Sequence, residues 1–129
     1  FIGAAADGRI AAASRQDYAE AAAAVLTAKD DQAGKVYELA GDTAFTMAEL
    51  AAATAKLSGK AIVYNELGEA AYKQALFGFG LPEPYAELYA NSDAGAAKGG
   101  LFDNSRTLSR LIGRPTTPVA DVLASVIKR

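Results

Sequence analysis

The sequence predicts an α/β fold, with short strands and capped helices in its first half and helices alone in its second. Three observations point there. Residues 35–64 read as strand, capped helix and strand. Beyond Leu67 the apolar residues recur at helical spacings of three and four, and glycine and proline fall where helices should stop and start.

Taken in order, residues 1–6 form a short strand or loop that ends at the turn dipeptide Asp7-Gly8. Residues 9–13 read as a short strand. Ser14, followed three residues later by Asp17, marks a helix start. The hydroxyl accepts from a first-turn amide, and the carboxylate suits the positive end of the helix dipole. This helix should cover 15–28, with Tyr18, Ala21, Ala22, Val25 and Leu26 on one face, before a charged turn at 29–34. Val36, Tyr37 and Leu39 make 35–40 a strand, stopped by Gly41-Asp42.

Thr46 and Glu49 then form a capping box, and Phe45 and Leu50 stand at the two positions of a hydrophobic staple. Leu50, Ala53 and Leu57 share a face, and Gly59 ends the helix. Residues 61–64 are the next strand. A parallel pairing with 35–40 would make the crossover right-handed.

The second half is read as helices throughout. One covers 69–77 and is ended by Gly78 and Gly80. Pro84 suits the first turn of another, which carries Tyr85, Leu88 and Tyr89, with Tyr85 and Tyr89 expected as an aromatic core pair. Residues 95–100 read as a small-residue loop. A helix at 105–112 turns Leu108, Leu111 and Ile112 inward and is closed by Gly113 and Pro115. Thr117 should cap the last helix with Pro118 at its first position, and Val119, Val122, Leu123, Val126 and Ile127 form its buried stripe.

A chain of 129 residues makes one domain or one lobe of a larger protein. Alanine supplies 31 of the 66 apolar residues. Burial stabilises by roughly 25 cal/mol per Å², so such a core gains little per side chain. Part of the apolar surface is therefore expected to pack on something outside the chain. The formal charge of −2 comes from interspersed signs, without the basic footprint that nucleic acid requires. Arg106, Arg110 and Arg114, and again Lys128 and Arg129, read as solvated faces.

The chain has no cysteine, which excludes disulfides and thiolate chemistry and fits a cytoplasmic protein. It has no histidine, which excludes a Ser-His-Asp triad and the usual zinc set, so no metal is expected. No apolar run reaches 18 residues, so no membrane span is expected. A start at Phe1, without a charged leader, reads as the middle of a longer chain.

Chemistry-bearing motifs are scarce. No G-x-G-x-x-G occurs, and Gly78-Phe79-Gly80 follows a helix, where it reads as a terminator. No tyrosine has lysine four residues on, and Tyr72 with Lys73 point to different helix faces. Asp30 and Asp31 read as a solvated turn, and Glu38 and Asp42 as strand bounds. Two segments keep a functional reading. Residues 1–8 are small and apolar, a wall for a flat hydrophobic ligand. Residues 98–102 offer one cation, flexible backbone and one ring.

Four ordered segments carry a resemblance: GRIAAASRQDY (8–18), GKVYELAGD (34–42), KGGLFD (98–103) and LIGRPTT (111–117). With them the whole chain resembles the C-terminal portion of the bacterial NAD(P)H:quinone oxidoreductase 2 group of NmrA-like atypical short-chain dehydrogenases/reductases. The resemblance implies that residues 1–129 are the substrate-binding lobe of a Rossmann-fold reductase, and that the Rossmann domain precedes it. NADPH would be bound mainly by that domain, and a quinone in the cleft would accept the hydride.

On this view no catalytic residue lies in the chain, and no cofactor-binding residue is assigned. The isolated fragment should be inactive and should not hold NADPH. The substrate cleft is placed at Phe1, Ile2, Gly3, Ala4 and Gly8, with Lys98 and Phe102 as second choices. A homodimer is compatible with the resemblance. The alternative it leaves is an NmrA-like protein that senses dinucleotides and regulates a partner without turnover.

Overall fold

Helices dominate the protein, as its second half requires, and only two short strands form among the described residues. The computed structural model describes residues 1–127, so Lys128 and Arg129 lie outside the described residues. The chain divides into two compact units interleaved along the sequence. The first comprises Phe1–Ile10 and Phe45–Phe102, and the second Ala11–Ala44 with residues 103–127.

In the first unit, β1 (Ile2–Gly3) pairs in parallel with β2 (Asn65–Glu66), in the register Ile2 to Asn65 and Gly3 to Glu66. Between them in sequence lies α2 (Met47–Ser58), one of the helices the sequence defines best. Thr46 and Glu49 exchange side-chain bonds with each other's backbone amides, and Gly59 closes the helix at φ 69°, a conformation open to glycine without steric cost. Then come α3 (Glu69–Gly78) and α4 (Glu83–Ala97), which pack on each other, while α3 also touches β1. The core of this unit is alanine: Ala4, Ala5, Ala51, Ala86, Ala90 and Ala96 are buried. Small side chains allow such close packing at little gain in buried area per residue.

In the second unit, α1 (Arg15–Leu26) packs on α5 (Thr107–Ile112), followed by α6 (Val119–Val126). Ser14 and Asp17 form the expected capping box at the start of α1. Ala11, Ala21, Ala40 and Leu108 are buried here, together with Asp17 and Thr116.

Several expectations are corrected, mostly where a strand needs a neighbour. Residues 35–40 form no strand, and Val36 is 85% exposed. A strand needs a ladder partner, and β-propensity cannot supply one. Residues 9–13 contribute one antiparallel bridge, in which Ile10 and Phe45 exchange amide bonds of 2.8 and 3.0 Å. The strand expected at 61–64 pairs further on, at Asn65–Glu66, so the parallel pair joins β1 to β2 and not 35–40 to 61–64.

The helices differ in their ends and faces. α1 stops at Leu26, where the Thr27 amide and hydroxyl both bond the Ala23 carbonyl. Its buried face carries Asp17 and Ala21, while Tyr18, Ala22 and Leu26 are exposed. α4 continues through Gly95 to Ala97, because alanine sustains the helix across residues read as a loop. Tyr85 and Tyr89 are both more than half exposed, so they form no core pair.

α5 begins at Thr107, two residues later than expected, after Arg106 at φ 57°. Pro118 takes the cap position of α6, with no side-chain cap, because Thr117 is engaged elsewhere. No residue of α6 is buried, so its apolar stripe is only partly covered. Arg114 is not a solvated-face residue: it bonds two carboxylates.

Candidate functional site

The segment read as a ligand wall is held by an unusual set of bonds. The parallel ladder runs through Asn65 N–H to Phe1 O and Leu67 N–H to Gly3 O, both 2.9 Å. After Gly3 it ends, and three successive amides turn to side chains. Ala4 N–H donates to Asp93 Oδ2 at 3.0 Å, Ala5 N–H to the Tyr64 hydroxyl oxygen at 3.0 Å, and Ala6 N–H to Glu66 Oε2 at 2.8 Å. The Tyr64 hydroxyl in turn donates to Glu66 Oε2 at 2.7 Å.

Local structure places each partner. Tyr64 and Glu66 are two apart in extended backbone and so point to the same side. Asp93 stands seven residues after Ala86 and three after Ala90, on the buried face of α4. Ala6, at the end of the series, has φ 44° although it is not glycine.

The electrostatics follow from this arrangement. Burial raises the Tyr64 phenol, and its bond to Glu66 adds to that, so it is pushed up to about 12. A phenol there stays protonated near neutral pH and serves as a hydrogen-bond bridge, not as a base. For Glu66, burial works upward, but the Tyr64 hydroxyl and the amides of Ala6 and Gly68 outweigh it and hold the carboxyl low. Tyr72 is raised by burial and by the Asp93 charge.

The second candidate segment follows the last turn of α4 and meets the first at Ala96. The Ala96 carbonyl accepts from Gly99 N–H at 2.9 Å. Gly8 lies against the same carbonyl: a Cβ on Gly8 would sit 2.7 Å from the Ala96 carbonyl carbon and 2.8 Å from Ala5 O. Only glycine fits so close an approach. All seven expected cleft residues therefore belong to the first unit. Phe1, Lys98 and Phe102 are exposed and Ile2 is half-buried, whereas Gly3, Ala4 and Gly8 are buried against neighbours within the unit. Gly3 is confined by side chains, since a Cβ there would lie 2.7 Å from Asp93 Oδ2.

A shallow groove of about 280 Å³ lies between α3 and α4, lined by Glu69, Ala70, Lys73, Glu87 and Ala90. Its cation is already paired, since Lys73 Nζ sits 3.4 Å from Glu83 and 3.1 Å from Glu87.

The second unit carries a buried ionic cluster. Asp17 is fully buried, and its Oδ1 accepts from Arg114 Nη2 at 2.7 Å and from the Thr117 hydroxyl at 3.0 Å. Its Oδ2 accepts from Thr117 N–H at 2.9 Å. Arg114 also reaches Glu20 Oε2 through Nη2 at 2.7 Å and Nε at 3.1 Å. Burial pushes the Asp17 carboxyl up, but the Thr117 amide, Arg114 and the hydroxyls of Ser14 and Thr117 outweigh it, and the group lies at about 2. Beside this cluster in sequence, Asp42 and Thr116 exchange bonds, Asp42 N–H to Thr116 Oγ1 at 2.8 Å and Thr116 N–H to Asp42 Oδ2 at 3.0 Å. Both arrangements tie chain segments together and present no reactive group.

Tyr64, Glu66 and Asp93 did not stand out in the sequence. A signal for Asp93 exists: it is a carboxylate on the stripe otherwise filled by Ala86 and Ala90. Tyr64 and Glu66 carry only the alternation of an extended segment.

No family model matches the chain. Among curated proteins, it is 56% identical over 121 residues to Quinone oxidoreductase 2 of Escherichia coli K12, which covers 94% of this chain and 42% of that protein. Among solved structures, the E. coli NADPH-dependent quinone oxidoreductase QOR2 complexed with NADPH superposes with a TM-score of 0.94 at 53% identity. That match covers 99% of this chain and 45% of that one. The Citrobacter sp. triphenylmethane reductase complexed with NADP(H) gives a TM-score of 0.89 at 31% identity, covering 97% of this chain and 43% of that one. The chain thus spans less than half the length of each of these proteins. By sequence and by fold, it is homologous to part of QOR2 and matches the C-terminal lobe of that NmrA-like reductase fold.

Proposed function

We propose that residues 1–129 are the substrate-binding lobe of a longer NADPH-dependent reductase that transfers a hydride to a quinone. The observation that carries this reading is the 56% identity to Quinone oxidoreductase 2 across 94% of the chain. The geometry agrees with a lobe that binds substrate and leaves the cofactor mainly to another part of the protein. Pyrophosphate needs free backbone amides at a glycine-rich turn. Here the amides of Ala4, Ala5 and Ala6 are already bonded to side chains, and Gly78 and Gly80 end a helix. NADPH would supply the hydride, and the proton that completes the hydroquinone would come from solvent.

The contribution of this chain is a surface for the ring. In this reading Phe1, Ile2, Gly3, Ala4 and Gly8 build one side of the cleft, with the exposed Phe1 ring as its face and the buried glycines and Ala4 as its backing. Lys98 and Phe102 stand across the shared Ala96 carbonyl. Mostly apolar walls with a few placed polar groups are the usual character of such sites. Cytoplasmic location and homodimeric assembly belong to the same proposal. The cysteine-free composition supports the first, and the exposed α4 stripe of Tyr85, Leu88 and Tyr89 supports the second. Among the described residues no helix is long and apolar enough to cross a membrane.

The test mixes the purified full-length protein with NADPH and a simple quinone and follows absorbance of the reduced cofactor. Quinone-dependent consumption is the expected result. Tight NADPH binding with no turnover would replace this reading with the dinucleotide-sensing one.

A further inference from the structure

Resting on the substrate-lobe reading, we propose that Tyr64, Glu66 and Asp93 are positioning residues that lock Ala4–Ala6 into a bend whose outer surface orients the quinone ring. Three observations converge. First, the parallel ladder ends at Gly3, and the next three amides each take a separate side chain from β2, its flank or α4. A longer strand would have satisfied them more simply. Second, Ala6 holds a left-handed φ of 44° that L side chains rarely adopt, and Glu66 Oε2 grips its amide at 2.8 Å. Backbone strain of this kind persists only where the surroundings over-determine it, and it gathers at functional sites. Third, the bend is confined at both ends, by Gly3 against Asp93 and by Gly8 against Ala96.

The chemistry of the exposed side follows. With these N–H donors bonded to side chains, the segment offers a ligand the exposed Phe1 ring and the exposed Ala6 methyl. Such a face suits a neutral, flat, apolar ring.

The experiment uses the full-length protein and two readouts, steady-state kinetics and hydrogen exchange of the Ala4–Ala6 amides. In Tyr64→Phe and Glu66→Ala, quinone KM should rise about tenfold while NADPH KM stays within about twofold, because the ring is misplaced but the cofactor is not. The amides should lose protection in the same variants. Glu66→Gln, which keeps an acceptor oxygen, should restore both. Glu66 is exposed, so Glu66→Ala keeps the test open should Tyr64→Phe fail to fold. Faster exchange with an unchanged quinone KM, or an equal rise in both KM values, would overturn the positioning role while leaving the reductase reading intact. A wild-type protein that reduces no quinone would instead overturn the reading beneath it.

Discussion

Replacing Asp17 with asparagine removes one charge from the buried cluster of the second unit and should change stability in a pH-dependent way. In the folded protein the carboxyl lies at about 2, against an ordinary value of 3.8. Because the folded value is the lower one, the ionised group stabilises the fold above pH 3.8, and this contribution fades as pH falls from there towards 2. The gap corresponds to about 2 kcal/mol. Its partner Arg114 is partly exposed, so solvent screening makes that figure an upper value.

At neutral pH, Asp17→Asn should cost about 3 kcal/mol, near the lower bound for breaking a buried pair, because Arg114 is partly exposed and keeps Glu20. Urea unfolding followed by circular dichroism at steps from pH 7 to pH 2 gives both quantities. The wild-type curve should descend towards the variant's as acid is added. Curves that stay parallel from pH 5 to pH 2 would refute the assignment of this charge as a source of stability.

Two further outcomes follow from the packing. Gly8→Ala should destabilise by about 2 kcal/mol, since the added methyl meets the Ala96 carbonyl and Ala5 O with no flexible atom to yield. Denaturant midpoints check this, and a shift below about 0.5 kcal/mol would mean that the close approach relaxes freely. Thr46→Ala should cost about 1 kcal/mol through loss of the bond to the Glu49 amide, measurable in the same assay.

What the sequence makes legible here is local. The capping boxes at Ser14 and Thr46 place α1 and α2 because a hydroxyl and a carboxylate three residues apart need no distant partner. Strand pairing is not local. Residues 35–40 have strand composition but no neighbour, while Asn65–Glu66, with no strand composition, pair with β1. The cap expected of Thr117 fails for the same reason, because its hydroxyl goes to Asp17, 100 positions earlier. At the candidate site the sequence indicates the two segments but not their junction at Ala96. The side chains that fix the first segment, Tyr64, Glu66 and Asp93, lie 59 or more positions from the amides they hold.

The interleaving of the two units sets a timetable for synthesis. Asp17 emerges from the ribosome before its guanidinium partner Arg114, which is encoded 97 residues later. At translation speeds of about 5–20 residues per second, that separation amounts to roughly 5–20 s. During that time the carboxylate lacks its counter-ion and α1 lacks α5 to lie on. Meanwhile residues 45–102 can already join the nascent 1–10 segment. The second unit is thus the last to close, and a truncation that removes Arg114 should leave α1 without its seat however well the first unit has formed.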